Sequence, residues 1–121
     1  MTERDYTTRL VKKLNAAPGC KARTLPDTGN VTHAKPYDFF LIYRGKHVSI
    51  EAKTLGGTVT DDQKKSLMDD TRAGARSFVA WYTSTKCRFV NVLTLAHYEY
   101  EWHDLDDART VEKLLREVLT K

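Results

Sequence analysis

The sequence predicts one α/β domain, with elements in the order helix, strand, strand, strand, helix, strand, strand, helix. Three observations predict it. Apolar residues recur at helical spacing near both ends of the 121 residues. Runs rich in aromatic and β-branched residues fill the middle, separated by Gly-bearing turns. Two capping boxes, Thr2-x-x-Asp5 and Thr60-x-x-Gln63, mark helix starts. No internal repeat, linker or low-complexity segment divides the chain, so residues 1–121 read as a single domain, long enough to bury a core without staples.

The first helix starts at Thr2 and places Tyr6, Leu10, Val11 and Leu14 on one face; Pro18-Gly19 ends it. Glu3 falls on that sheet-facing side. Cys20–Leu25 is a short first strand, with Lys21 and Arg23 alternating against Cys20, Ala22 and Thr24. Pro26–Pro36 is a polar loop. Tyr37–Tyr43 and Lys46–Ala52 are strands joined by Arg44-Gly45, a hairpin turn. Thr54–Val59 carries Gly56-Gly57 and turns the chain into a second helix from Thr60, whose inner face is Leu67, Met68 and Thr71 and whose stop is Gly74. Ser77–Thr83 and Arg88–Leu93 are two further strands around Ser84-Thr85-Lys86, with Phe78 and Trp81 expected in the core. The stretch Ala96–Asp107 is aromatic and acidic, and covers the core edge or makes a subunit contact. Val111, Leu114, Leu115, Val118 and Leu119 define a final amphipathic helix.

Composition narrows the classes of function. No apolar run approaches the ~20 residues that span a bilayer, and the polar start MTERDYTTR is no signal peptide. Membrane partners are not expected. Cys20 and Cys87 show no CxxC spacing, which fits reduced thiols in a cytoplasmic protein, and the four histidines form no ligand set for zinc. Net charge is +4, unevenly spread: residues 1–98 hold 16 Lys/Arg against 9 Asp/Glu, and residues 99–121 hold 4 against 7. A basic body suits a polyanionic partner such as nucleic acid.

The chemistry lies in the central hairpin, KPYDFFLIYRGKHVSIEAK. With a two-residue turn Tyr43 pairs with Lys46, and counting back puts Asp38 opposite Glu51, with Cβ atoms about 4.5–5.5 Å apart. Lys53 lies two residues beyond Glu51 and shares its face. Facing carboxylates would weaken an ordinary hairpin, yet they form a ligand pair for a divalent cation such as Mg²⁺. A lysine beside that ion would orient an attacking water and offset phosphate charge. A surface hairpin with scattered charges is the plain alternative.

Pro36-Tyr37-Asp38, then Glu51-Ala52-Lys53, resembles the active-site motif of the PD-(D/E)XK nuclease superfamily, with Tyr37 as a tolerated insertion between Pro and Asp. The first six elements are similar to that superfamily's αβββαβ core over roughly residues 3–83. The resemblance implies a restriction-endonuclease-like fold: a mixed central sheet flanked by helices, plus a C-terminal strand and helix. The stretch YRGKHVSIEAKTLGG and the Gln-bearing helix look most like the Holliday-junction resolvase and VRR-NUC branches. The activity this resemblance implies is that of a Mg²⁺- or Mn²⁺-dependent DNA endonuclease of Holliday-junction resolvase type, with Asp38, Glu51 and the Ala52 carbonyl as metal ligands and Lys53 as the catalytic lysine. Glu3 matches an acidic metal-site position on the first helix, although a Glu there also complements the helix dipole. Gln63 matches an active-site glutamine, although capping also accounts for it. Lys35, Arg44, Lys46, Lys64 and Lys65 are the candidate DNA contacts. Cutting both strands of a symmetric junction implies a homodimer. A flap-, end- or site-directed nuclease and a non-catalytic nucleic-acid-binding module remain the alternatives.

Overall fold

A computed structural model describes residues 1–26 and 36–121. Most of the expected loop Pro26–Pro36, including Lys35, lies outside the described residues. The elements are α1 (Glu3–Asn15), β1 (Cys20–Thr24), β2 (Phe39–Tyr43), β3 (Lys46–Thr54), α2 (Asp61–Arg72), β4 (Arg76–Tyr82), β5 (Lys86–Asn91), β6 (His97–Glu101), a 3-10 turn (Trp102–Asp106) and α3 (Ala108–Lys113), which runs on as a π-helical segment (Leu114–Leu119).

Local chemistry sets most boundaries. Both capping boxes form: Thr2 exchanges hydrogen bonds with Asp5, and Thr60 with Gln63. The Arg44-Gly45 turn has positive φ at both residues, 50° and 82°, which matches the right-handed twist of the strands it joins. At the end of α2 the Ala75 N–H bonds the Asp70 carbonyl while Gly74 sits at φ 104°, a left-handed stop.

The sheet has the order β1-β2-β3-β4-β5-β6. Only β3 and β4 pair in parallel, across the α2 crossover; the other pairs are antiparallel, so the sheet is mixed. Alternation along β3 divides its two faces. Val48, Ile50 and Ala52 are buried in the main core with Leu10 and Leu14 of α1 and Leu114 and Leu115 of the C-terminal segment. Ser49, Glu51 and Lys53 point to the opposite face, where Ser49 Oγ donates to Asp70 of α2 at 2.6 Å.

Three expectations need correction. Phe78 is fully buried in the core, but Trp81 is half-buried on the α2 face, opposite Lys53 in register. Their odd separation along a strand sends them to opposite faces. Lys86, read as part of a turn, opens β5. The aromatic, acidic stretch contributes a sixth strand, β6, whose Glu99 pairs with Lys86 at 3.4 Å. An exposed edge strand alternating Tyr with Glu lacks the β-branched run that would have marked it. Trp102 covers the core edge: it stacks on Tyr6 (centroids 5.6 Å apart, 12° between planes) and donates its ring N–H to the Thr83 carbonyl at 2.9 Å. Among the described residues, no helix is long and apolar enough to cross a membrane.

Candidate active site

The expected site residues come from the ends of four elements: the starts of α1, β2 and α2 and the end of β3. β3 runs past the end of β2, so among the described residues the N–H groups of Ala52 and Thr54 on that edge meet no partner strand there. Carboxylates bond both: Asp38 Oδ2 accepts from Ala52 N–H at 2.7 Å, and Glu3 Oε2 accepts from Thr54 N–H at 3.2 Å. In an extended strand the N–H and C=O of one residue point to the same edge, so the Ala52 carbonyl also faces the Asp38 side.

The hairpin register has Tyr43 opposite Lys46, as expected, and runs to Phe39 opposite Ile50. Direct pairing of Asp38 with Glu51 is not what the chain adopts. The Asp38 N–H bonds the Ile50 carbonyl at 3.1 Å, one step early, and β2 begins at Phe39 rather than Tyr37. The physical reason is competition from either side: the Asp38 carbonyl accepts from Leu25 at 2.9 Å, and its carboxylate is drawn to Ala52.

Glu51 is only 2% exposed, and Lys53 Nζ lies 3.7 Å from its Oε2. Burial pushes the Glu51 carboxyl up to about 8; a hydrogen bond to Asp38 and the charges of Asp38 and Glu3 push the same way, against the pull of Lys53. Carboxylates of Asp38 and Glu51 close together beside a backbone carbonyl form an all-oxygen donor set, which suits a hard cation such as Mg²⁺ or Mn²⁺. The residues present therefore fit a divalent metal.

Gln63 stands in the first turn of α2, which starts after the connection from the end of β3. Its side-chain oxygen accepts from Thr60 N–H at 3.0 Å, leaving the amide NH₂ as the group it can offer a ligand. Lys64 and Lys65 are exposed on the same turn, with Lys65 near Asp69 at 3.4 Å. Arg44 and Lys46 stand at the hairpin turn, about 16 Å along the strand from Glu51. Arg44 lies over the Tyr43 ring, and Lys46 Nζ bonds the Thr120 carbonyl. The four described candidate DNA contacts, Arg44, Lys46, Lys64 and Lys65, thus stand at two separate places, the hairpin turn and the start of α2.

Two site features went unread in the sequence. Arg4 joins Glu3 and Asp38 in lining a cleft of about 440 Å³ between the start of α1 and the ends of β1 and β2. Gly57 packs against the Lys53 stem: a Cβ there would lie 3.5 Å from Lys53 Cδ and 3.2 Å from the Thr54 carbonyl oxygen. Neither carries a motif; only the packing of separate elements gives them a place. Elsewhere, Glu101, His103 and Asp104 bring ligand atoms within 4.8 Å of one another, all exposed, so His103 does meet carboxylates despite having no histidine partner at metal spacing.

Fold and strand order define an α/β protein with a mixed six-stranded sheet, consistent with a restriction-endonuclease-like core. It is similar to Hjc, a Holliday junction resolvase from the archaeal hyperthermophile Archaeoglobus fulgidus, at a TM-score of 0.53 and 22% identity, covering 82% of this chain and 84% of that one. A second solved structure, SSO0001, covers 98% of this chain and 60% of its own at 16% identity, with a TM-score of 0.39. No sequence-family model matches the chain, and no curated protein matches it by sequence.

Proposed function

We propose that this chain is a metal-dependent DNA endonuclease that hydrolyses phosphodiester bonds at the group formed by Asp38, Glu51 and Lys53, with a four-way junction as substrate and a homodimer as the working form. The observation that carries it is the buried Glu51 carboxyl set between Asp38 and Lys53 at the open end of β3. An ordinary structural role gives no reason to bury an acid beside another acid.

Asp38, Glu51 and the Ala52 carbonyl would hold Mg²⁺ or Mn²⁺, with Glu3 as an outer carboxylate. Lewis-acid polarisation of the phosphate and activation of the attacking water would come from that ion. Lys53 orients the attacking water and offsets the charge that builds on the phosphate oxygens. Gln63 offers its amide NH₂ from the start of α2. Arg4 lines the cleft beside Glu3 and Asp38 as a phosphate contact, and Lys35, Arg44, Lys46, Lys64 and Lys65 are further DNA contacts. The junction as substrate is supported by the likeness in fold to a junction resolvase.

The test is a cleavage assay with Mg²⁺ or Mn²⁺ on labelled four-way junction, flap, single strand and linear duplex side by side. Symmetric nicks in the junction are expected. Cutting confined to flaps, ends or particular duplex sites would replace the resolvase assignment. Binding without cleavage of any substrate would leave a nucleic-acid-binding module.

A further inference from the structure

We propose that the open face of β1 and β2 is a track for an unpaired nucleic-acid strand leading to Asp38, so that a junction with an arm unpaired beside the crossover binds more tightly than a fully paired one. The inference rests on the nuclease assignment of Asp38 and adds to it a binding surface and a substrate feature.

α2 lies over β3 and β4, and the same face of β1 and β2 stays exposed among the described residues. β1 is the edge strand, and its Lys21 and Arg23 stand opposite Ile42 and Phe40 in register. These four residues line a shallow groove of about 240 Å³. Ile42 is 43% exposed, unusual for a β-branched aliphatic on a sheet face. Phe40 is half-buried and lies parallel to His47, with ring centroids 5.4 Å apart and 7° between planes. Asp38 lies two residues before Phe40, just ahead of the start of β2, so the β2 end of the groove runs toward the site.

Two cations and a flat aromatic pair, with no carboxylate among the described residues of the groove, complement a polyanion that also has π-faces to offer. Lys21 and Arg23 would take phosphates, Phe40 a base and Ile42 the sugar or the neighbouring base. In a duplex the base faces are stacked inside and cannot reach such a surface; unpaired bases can. A second copy of the chain on this face would bring four cations together without a counter-charge, which disfavours a subunit contact here.

The experiment measures binding of the full chain without divalent metal, by fluorescence anisotropy, to a twelve-residue thymidine strand and a twelve-base-pair duplex across a salt series. Lys21→Gln with Arg23→Gln should weaken single-strand binding about tenfold and flatten the log–log salt slope by about 1.4, two contacts at about 0.7 each. Phe40→Leu should weaken it roughly fivefold with the slope unchanged. Ile42→Ser, at an exposed position, serves if Phe40→Leu does not fold, and should also weaken single-strand binding. Lys113→Gln with Arg116→Gln, on the C-terminal segment, controls for bulk charge and should cost less than twofold. Wild-type affinity and slope in the β1 double variant would overturn the track, as would a dimer in sedimentation that these substitutions dissociate. Because binding is read without metal, a chain that binds through this face yet never cleaves overturns only the nuclease assignment. One that cleaves while ignoring Lys21 and Arg23 overturns only the track.

Discussion

The carboxylate of Asp38 accepts a hydrogen bond from the backbone N–H of Ala52 at 2.7 Å. That bond ties the end of one hairpin strand to the edge of the other beyond the point where their ladder stops. It brings Asp38 within hydrogen-bonding reach of the Glu51 side chain without direct cross-strand pairing. The proposed site therefore depends on a side-chain bond as well as on register.

Asp38→Asn separates chemistry from binding. The amide oxygen still accepts from Ala52, so the fold should persist, while a metal-ligand charge is lost. Cleavage should disappear, and junction affinity should stay equal or rise slightly as repulsion of phosphate falls. A cleavage time course beside a gel-shift titration checks both; near-normal cutting would remove Asp38 from the proposed site.

Lys53→Ala should slow cleavage roughly 10²–10⁴-fold, the range for a group that manages proton transfer to or from an attacking water. Metal binding should largely survive, and DNA affinity should fall at most modestly. Calorimetric titration with Mn²⁺ reads the metal separately from the rate. Loss of Mn²⁺ binding with Lys53 would assign that lysine to site assembly instead.

Stability should depend on pH through Glu51. Its folded value of about 8 stands above the ordinary 4.5, so between those pH values the folded chain holds a proton that the unfolded chain has released. Stability therefore falls as pH rises from about 4.5 to about 8, by an amount on the order of a few kcal/mol. Melting curves of the metal-free protein across that range should show the fall, and Glu51→Gln should flatten it. Mg²⁺ at pH 8 should raise the wild-type melting temperature and leave Glu51→Gln unmoved. A flat wild-type profile would contradict the buried acid.

Gln63 has a capping role that substitution can hold constant. Gln63→Glu keeps the capping-box acceptor, whereas Gln63→Ala loses it at about 1 kcal/mol. The Glu variant should melt near wild type yet cleave more slowly, because the amide NH₂ is gone. Unchanged rate in the Glu variant would leave Gln63 as a helix cap alone.

A single chain offers one proposed centre, and cutting a junction on both sides needs two, so a symmetric dimer is expected in solution. Analytical ultracentrifugation at micromolar concentration, with and without junction DNA, decides it. A monomer under both conditions would favour the flap- or end-directed alternative.

By itself the sequence determined the helices, five of the six strands, the two-residue turn and the face shared by Glu51 and Lys53. These follow from local rules: period-two alternation, capping boxes and the positive φ of the Arg44-Gly45 turn act over a few residues. Asp38, Glu3 and Gln63 could be named from motif and position, but not what each one touches. Only the tertiary structure decided that Asp38 leaves the ladder for the Ala52 N–H, that Glu3 bonds Thr54 fifty-one residues away, and that Gln63 spends its oxygen on Thr60. It also decided that Gly57 crowds the Lys53 stem, that Trp81 stands outside the main core, and that the acidic Tyr–Glu stretch forms the sheet's edge. The physical reason is the same in each case. Desolvation and hydrogen bonding depend on which distant backbone groups are left without partners, and that is settled where strands stop, not by the residues beside them in sequence.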